Sequence, residues 1–529
     1  MIPRVRRPSF GPGTEGLTID QLVRELGEGA VCIGSGTAVA TGVQQDSRRV
    51  AAGDVFVVRR GETNDGAQFV SDAIANGATA ILAEEGVVDP ATVPVPVVIV
   101  ASVRSALGRA ASAVYGHPSF SVHVVGITGT NGKTTTSHLL RDILDDCAGR
   151  ADCGIVGTVG NLFGPLSWPA SHTTPEGDEA ARLLAAMRDA GAAHAAMEVS
   201  SIALSLERVR GLHFHVAAFT NLSQDHLDFH GTMESYGAAK ASLFHAYAPG
   251  SAVVCVDDEF GRNLANSLTI PTIRVASLEG PSAHNADLAP EGVHFERDRV
   301  VGRLRTPDGT REFEMPLCGR HNLQNALVAL GCALQCGKNT DEALRALRRV
   351  RGAPGRLERV SRITDDVSVM VDYAHTPDAV ARVLESLRAS GPSHIVCVLG
   401  CGGDRDASKR QPMGYAAAKG ANTVVVTSDN PRTEDPATIA RAIEEGVLAG
   451  GKQKVASLRS VQDGYVLQLD RGEAIRRAIA DAPRGAVVLI AGKGHEDYQI
   501  VGTQKHPFDD RVVARTALEA RRLPGGAAP

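Results

Sequence analysis

Gly126-Ile-Thr-Gly-Thr-Asn-Gly-Lys-Thr-Thr135 is the stretch from which the rest of the chain is best read. It follows Val122-His-Val-Val-Gly-Ile127, an apolar run of strand character, and precedes Ser137 to Leu144, where the spacing predicts a helix. A glycine-containing loop in that context is built to hold phosphate. Its glycines let the backbone curl so that N–H groups face phosphate oxygens, and the helix N-terminus adds partial positive charge. Lys133 then reaches the terminal phosphates, and the Thr134 hydroxyl is placed to ligate magnesium. The loop departs from the general GxxxxGK[ST] pattern, since position 127 is Ile rather than Gly. The bland alternative is a glycine-rich turn with an exposed lysine, but strand, loop, Lys-Thr pair and helix all agree on a nucleotide. A phosphate loop names a nucleotide and leaves the reaction open.

Outward from this loop the chain alternates strands and helices, which implies crossover connections and parallel sheets. Upstream, 54–58, 78–83 and 95–100 read as strands and 65–76 as a helix ended by Gly77, a small α/β unit closed by a linker at 115–119. Downstream, 195–197, 216–219 and 252–256 read as strands of the segment that carries the loop. Beyond a break near Gly352-Ala-Pro-Gly355, strands at 367–371, 395–399, 423–427 and 487–490 alternate with helices such as 377–390. The expectation is an α/β protein with domains over 1–117, 118–353 and 354–529.

Bulk properties agree. A chain of 529 residues is too long for a single core, and 43% hydrophobic with 22% charged residues is a globular composition. With 55 basic against 60 acidic residues there is no global positive field for nucleic acid, and at 4% aromatics there are few platforms for stacking bases. No apolar run approaches the ~20 residues of a membrane span, and the basic start lacks the apolar region of a secretory signal. Nine cysteines without a CxxC pair point to reduced thiols and a cytoplasmic location. His213, His215, His226 and His230 come with no thiolate or HExxH pattern, so no zinc site is expected.

Further motifs follow in order. They are Met197-Glu-Val-Ser-Ser201, Asn221-Leu-Ser-Gln-Asp-His-Leu-Asp-Phe-His-Gly231, Tyr236-Gly-Ala-Ala-Lys240, Gly319-Arg-His-Asn-Leu-Gln-Asn325, Gly355-Arg-Leu-Glu358 and Val371-Asp-Tyr-Ala-His-Thr-Pro-Asp378. With Gly129-Thr-Asn-Gly-Lys-Thr134, this set resembles the Mur ligases and their folylpolyglutamate synthetase relatives. The resemblance implies three domains: one for a UDP-sugar, a central ATPase, and a Rossmann-like domain for an incoming amino acid. It implies that ATP phosphorylates a carboxylate and an amine then attacks the acyl phosphate. Charge builds on phosphate oxygens, so cations and magnesium are the expected catalysts.

By the same resemblance Lys133, Glu198, His226 and Lys240 are the catalytic residues, and Gly129, Thr130, Asn131, Gly132, Lys133, Thr134 and Thr135 cradle ATP. Asn322, Arg356 and Asp372 match positions at the nucleotide's other end. Metal would sit on Thr134 and Glu198, and on His226 and Lys240, the latter as a carbamate formed with carbon dioxide. Ser47, Glu62, Thr63 and Asn64 match uridine-side positions, and His172, Thr173, Thr174, Ser200, Leu206 and Arg208 match positions for the sugar-peptide. Ile202 stands where relatives have His, and Gln224 where they have Arg.

Asp429-Asn-Pro-Arg432 resembles the DNPR motif of the diaminopimelate-adding members, joined by Gly400-Cys-Gly-Gly-Asp-Arg-Asp406 and Gly492-Lys-Gly-His-Glu496. Diaminopimelate carries a carboxylate that lysine lacks. Arg405 and Arg432 offer guanidinium forks, Glu496 takes an ammonium, and Asn430 supplies a neutral donor and acceptor. Asp429, Pro431 and Gly492 complete that set. The alternatives are a lysine-adding ligase, a folylpolyglutamate synthetase, which has no counterpart to 1–117, and a non-catalytic nucleotide-binding regulator. The substrates implied are small molecules, with neither nucleic acid nor membrane insertion.

Overall fold

The computed structural model describes residues 16–60, 65–296, 299–459 and 461–522, so Glu62, Thr63 and Asn64 lie outside the described residues. The chain divides into two compact units: Met1–Glu291 with Leu304–Arg311 and Gln324–Arg349, and Gly292–Arg303 with Glu312–Leu323 and Val350–Pro529.

Besides the two-stranded pair Leu17–Thr18 and Val39–Ala40, the first unit holds two larger sheets. One orders Val31–Ile33, Val97–Val100, Ala80–Glu84, Asp54–Val57 and Gly42–Gln44, parallel apart from the first pair. The other has eight strands. Its parallel part runs Cys153–Gly157, His194–Glu198, His123–Thr128, Val216–Phe219, Ser251–Cys255 and Thr272–Val275. Most of these strands are buried along their whole length, as expected where both faces of a parallel sheet are covered. Register aligns Ile127 with Glu198 and Thr128 with Phe219. The phosphate loop, Glu198 and Thr220 therefore emerge together at the carboxyl ends of adjacent strands, where open α/β sheets bind ligands. Behind them the helix Lys133–Ala148 buries Leu139, Leu140, Ile143 and Leu144. Truncating one of these leucines to Ala would cost about 2–5 kcal/mol.

A six-stranded sheet dominates the second unit, ordered Glu358–Arg359, Ser368–Asp372, Val487–Ala491, Ile395–Leu399, Thr423–Val426 and Gly464–Leu467, and parallel after the first pair. Its helices start on side-chain caps: Thr376 before Pro377–Ala389, Asp435 before Pro436–Ala449 and Asp470 before Arg471–Asp481. The loops 400–406, 428–432 and 492–496 leave this sheet at the carboxyl ends of three strands.

Several elements differ from the sequence expectation. The loop helix starts at Lys133 rather than 137, because Gly132 at φ 90° makes the turn. The stretch 115–119 is packed rather than an open linker. Tyr115 is buried at the end of Val103–Val114, His117 turns at φ 48°, and Pro118 begins a short helix, Pro118–Ser121. Antiparallel strands Gly160–Phe163 and Leu166–Trp168 extend the large sheet. Segment 289–315 carries three further strands, and Tyr498–Val501 with Gln504–Pro507 forms a hairpin.

Candidate active site

The phosphate loop is held by its neighbour 220–223. Thr130 N–H donates to Asn221 O at 2.8 Å and Asn131 N–H to Asn221 Oδ1 at 3.0 Å. Thr220 Oγ1 donates to Asn131 O at 2.6 Å. Two loop amides are thus engaged, which leaves anion binding to the first turn of the helix, whose leading N–H groups have no intrahelical acceptor. Gly132, at the N-cap, has no side chain to compete for them. The Lys133 ammonium lies over the loop, donating to Gly129 O at 2.8 Å and Thr130 O at 3.0 Å.

Glu198, 1% exposed, is lodged among neutral donors. It accepts from Thr134 Oγ1 at 2.8 Å, Thr158 N–H at 2.9 Å and Thr158 Oγ1 at 3.0 Å. The Thr158 hydroxyl also meets Thr173 Oγ1 at 3.0 Å. Next along, the Thr174 hydroxyl donates to Glu198 O at 2.9 Å and accepts from Ser200 N–H at 3.0 Å. Ser200 caps the helix Ser201–Ser205, Leu206 follows it, and Arg208 pairs with Glu176 at 2.9 Å. Arg208 also donates to Thr174 O at 3.3 Å, so Thr134, Glu198, Thr174, Ser200 and Arg208 are linked by direct contacts and Thr173 joins them through Thr158. His172 is exposed against Ser171, and Ser47 is buried at the start of the short helix Ser47–Arg49 with its carbonyl bonded to Asn76.

Lys240 is 1% exposed and donates to the same Gly129 carbonyl, at 2.9 Å. Its ammonium stands 4.3 Å from the centre of the Tyr236 ring, one helical turn away. Burial holds Lys240 well below the usual lysine range. Lys133 pushes the same way, against a weaker pull from Asp225. His226, half exposed in a left-handed turn, packs edge-on to Tyr236 at 6.2 Å, and Tyr236 donates to Thr130 Oγ1 at 3.1 Å. Tyr236 thus stands between His226, Lys240 and the loop. Gln224 is exposed and Ile202 half-buried.

Asn322, Arg356 and Asp372 lie in the second unit. The Asn322 amide donates to Cys318 O at 2.8 Å. Asp372 accepts Leu357 N–H and Ala374 N–H at 2.7 and 2.8 Å, and burial raises its pKa against the opposing charge of Arg356. The Arg356 guanidinium lies 4.8 Å from the Tyr373 ring.

At the carboxyl ends of the same sheet, Asn430 donates Nδ2–H to Glu496 Oε2 at 2.9 Å and accepts Ile500 N–H on Oδ1 at 2.9 Å. Arg432 sits at φ 53° and donates to Gly403 O at 2.7 Å. Its backbone is clipped by the hairpin: Arg432 N–H donates to Ile500 O at 3.1 Å and Gly502 N–H to Arg432 O at 2.8 Å. A Cβ on Gly402 would lie 2.9 Å from Arg432 Nη1 and 3.9 Å from Arg405 Cγ, so the two arginines flank that glycine. Arg405 is exposed. Gly492, at φ 118°, leaves room for Asp429, whose Oδ2 would be 2.8 Å from an added Cβ.

Sequence reasoning passed over Thr158, Tyr236, Glu176 and Lys493. Tyr236 and Lys493 lie within the motifs, four residues before Lys240 and between two glycines. Glu176 follows the threonine pair and receives Arg59 at 3.0 Å as well as Arg208. Thr158 had no signal, because its role arises from strand register. All nine cysteines are free thiols, and no helix among the described residues is long and apolar enough to cross a membrane.

Comparisons with known proteins bear on this geometry. Residues 39–115 match the model "Mur ligase family, catalytic domain", 127–333 "Mur ligase middle domain" and 355–494 "Mur ligase, glutamate ligase domain". The UDP-N-acetylmuramoyl-L-alanyl-D-glutamate–2,6-diaminopimelate ligase of Gloeobacter violaceus is 44% identical over 92% of this chain and 95% of its own length. That of Geobacillus thermodenitrificans is 42% identical over 91% and 95%. A solved ligase of the same description superposes with TM-score 0.70 at 30% identity, covering 96% of this chain and all of the other. The Thermotoga maritima MurF ligase in complex with ADP, at 19% identity and TM-score 0.58 over 91% and 97% of the two chains, shares the fold.

Proposed function

The chain belongs to the Mur ligase family, and we propose that it joins 2,6-diaminopimelate to UDP-N-acetylmuramoyl-L-alanyl-D-glutamate with ATP, a step of peptidoglycan precursor synthesis. We take the acceptor to be the D-glutamate carboxylate and the donor the meso isomer. Residues 1–117 take the uridine end, 118–353 the ATP and dipeptide, and 354–529 the amino acid. Free thiols and the need for ATP favour the cytoplasm as its location.

The observation that carries the ligase reading is the meeting of Lys133 and Lys240 on the Gly129 carbonyl, beside the Thr134–Glu198 pair. A carboxylate oxygen attacks the γ-phosphorus of ATP and ADP leaves. Lys133 and the first-turn amides face the charge that spreads over the transferred oxygens. The substrate amine then adds to the acyl carbon, a proton is lost, and inorganic phosphate departs as the amide forms. Arg208, anchored by Glu176, and the hydroxyls of Thr173 and Ser200 orient the dipeptide. Thr134 and Glu198 present hard oxygen donors suited to magnesium, which supplies charge neutralisation on the phosphates. Asn322, Arg356 and Asp372 are assigned to the rest of the nucleotide. Lys240, buried and depressed in pKa, favours the neutral amine that combines with carbon dioxide to give a carbamate and a proton. With His226 that anion offers a second metal position.

Phosphate release measured with and without the UDP-dipeptide, and with diaminopimelate and lysine side by side, tests the reading. Release that ignores the dipeptide would mark a regulator, and preference for lysine would overturn the substrate. Arg432→Ala should lower kcat/KM for diaminopimelate about thirtyfold or more, since an unpaired buried carboxylate costs about 2–5 kcal/mol. Equal loss with both amino acids would show that Arg432 holds only the end they share.

A further inference from the structure

We propose that Lys493, a residue that never reaches solvent, is a positioning residue that holds Asn430 and Glu496 in the one arrangement that receives the amino-acid substrate. The proposal rests on the reading of 429–432 and Glu496 as the diaminopimelate site.

Lys493 is 0% exposed. Its ammonium donates to Asn430 Oδ1 at 2.9 Å and to Asp429 Oδ1 and Glu496 Oε2, each at 3.3 Å. Asn430 Oδ1 also accepts Ile500 N–H, so two donors fix the oxygen end of that amide. Its Nδ2 must then face Glu496 Oε2. Among the described residues every hydrogen bond to the Glu496 carboxylate falls on Oε2, which leaves Oε1 for a ligand to use. Beneath lies a second buried cation, Arg471. It pairs with Asp510 at 2.7 Å and donates to Ser428 O and Ala491 O, immediately before the two motifs. Asp429 and Glu496 thus face Lys493 and Asp510 faces Arg471, while Arg356 stands 4.8 Å from the Tyr373 ring, Lys505 stands 4.1 Å from the Tyr498 ring, and Arg432 and Asp497 act on Tyr498 as well. Tyr498 and Tyr373 are the uncharged rings nearby.

Lys493→Met removes the cation that Asp429 and Glu496 share and one of the two donors that fix the Asn430 oxygen, so the carboxylates repel each other and the amide can turn over. The KM for diaminopimelate should rise about thirtyfold or more. KM values for ATP and the UDP-dipeptide, and kcat at saturating diaminopimelate, should stay put. Lys493→Gln, which keeps a donor toward Asn430 without the charge, should show a smaller rise with the same split if Met at this position fails to fold. An unchanged KM for diaminopimelate, or one raised alongside the other two substrates, would overturn the proposal while leaving the substrate reading intact. A wild-type enzyme with no diaminopimelate-dependent turnover would remove both.

Discussion

Two lysines on one carbonyl set the expectations at the scale of single residues. Lys133 and Lys240 both donate to Gly129 O, yet their surroundings differ. Lys133 lies over the loop beside the first-turn amides, where a cation meets developing phosphate charge. Lys133→Ala should cut kcat by about a hundredfold to a thousandfold or more, the size of loss seen when one preorganised donor is removed. Near-normal ligation by this variant, measured as phosphate release, would sink the phosphate-loop assignment. Lys240 is walled in by Tyr236 and lowered in pKa by burial and then by Lys133. Lys240→Ala should be nearly inactive and partly restored by short carboxylic acids that stand in for the proposed carbamate. Lys240→Arg, which keeps a positive charge and cannot be carbamylated in the same way, should stay inactive. Full activity in it would show that a cation sufficed.

Between elements, the loop's conformation matters as much as its side chains. Gly129 lies at φ 146°, and a Cβ there would fall 1.9 Å from Thr220 Oγ1, the hydroxyl that holds Asn131. Gly129→Ala should therefore destabilise by more than about 1 kcal/mol and raise the KM for ATP. Gly149 is the control. It ends the same helix at φ 65° with nothing within 4 Å of a Cβ, so Gly149→Ala should lower Tm modestly and leave the ATP KM alone. A Gly129→Ala protein with unaltered Tm and KM would mean that the loop adjusts freely. What could be read from sequence follows the same division. Buried parallel strands such as Val216–Phe219 and Ile395–Leu399 announce themselves as unbroken apolar runs, and their residue limits agree with the reading. The hairpin Tyr498–Val501/Gln504–Pro507 was invisible, because residues such as Gln504-Lys-His-Pro507 are all exposed and carry no apolar pattern. That hairpin clips Asn430 and Arg432. Lys493, which bonds to Asp429, Asn430 and Glu496, is hidden differently: it lies inside a motif, and only the meeting of the loops 428–432 and 492–496 reveals its contacts. Thr158 was hidden for a related reason: strand pairing alone brings it to Glu198.

Across the molecule, function asks for charge at strand ends and folding asks for its neutralisation, and pH separates the two. In the second unit His495 lies 5.2 Å from the Tyr373 ring. Burial pushes its imidazole down to about 4, with Arg356 and Arg511 acting in the same direction and Asp497 against them. The folded value lies below the unfolded one of about 6.5. Between the two the unfolded chain binds more protons, so stability must fall as pH drops from about 6.5 to about 4 and level off below. Each unit of that gap is worth about 1.4 kcal/mol as an upper limit, because His495 is only partly shielded. His194, lowered in pKa by burial against its hydrogen bond to the Asp152 carboxylate, adds to the same trend in the first unit. His495→Gln keeps a polar group of similar reach and cannot take up the proton. Its Tm, followed by scanning calorimetry from pH 8 to pH 4, should fall less steeply than that of the wild type, while the two curves run parallel above pH 7. Parallel curves throughout would mean that the ring is already solvated in the folded state. The acid loss would then belong to paired carboxylates such as Asp365 and Asp366, which Arg522 and Arg521 hold below the usual carboxylate range.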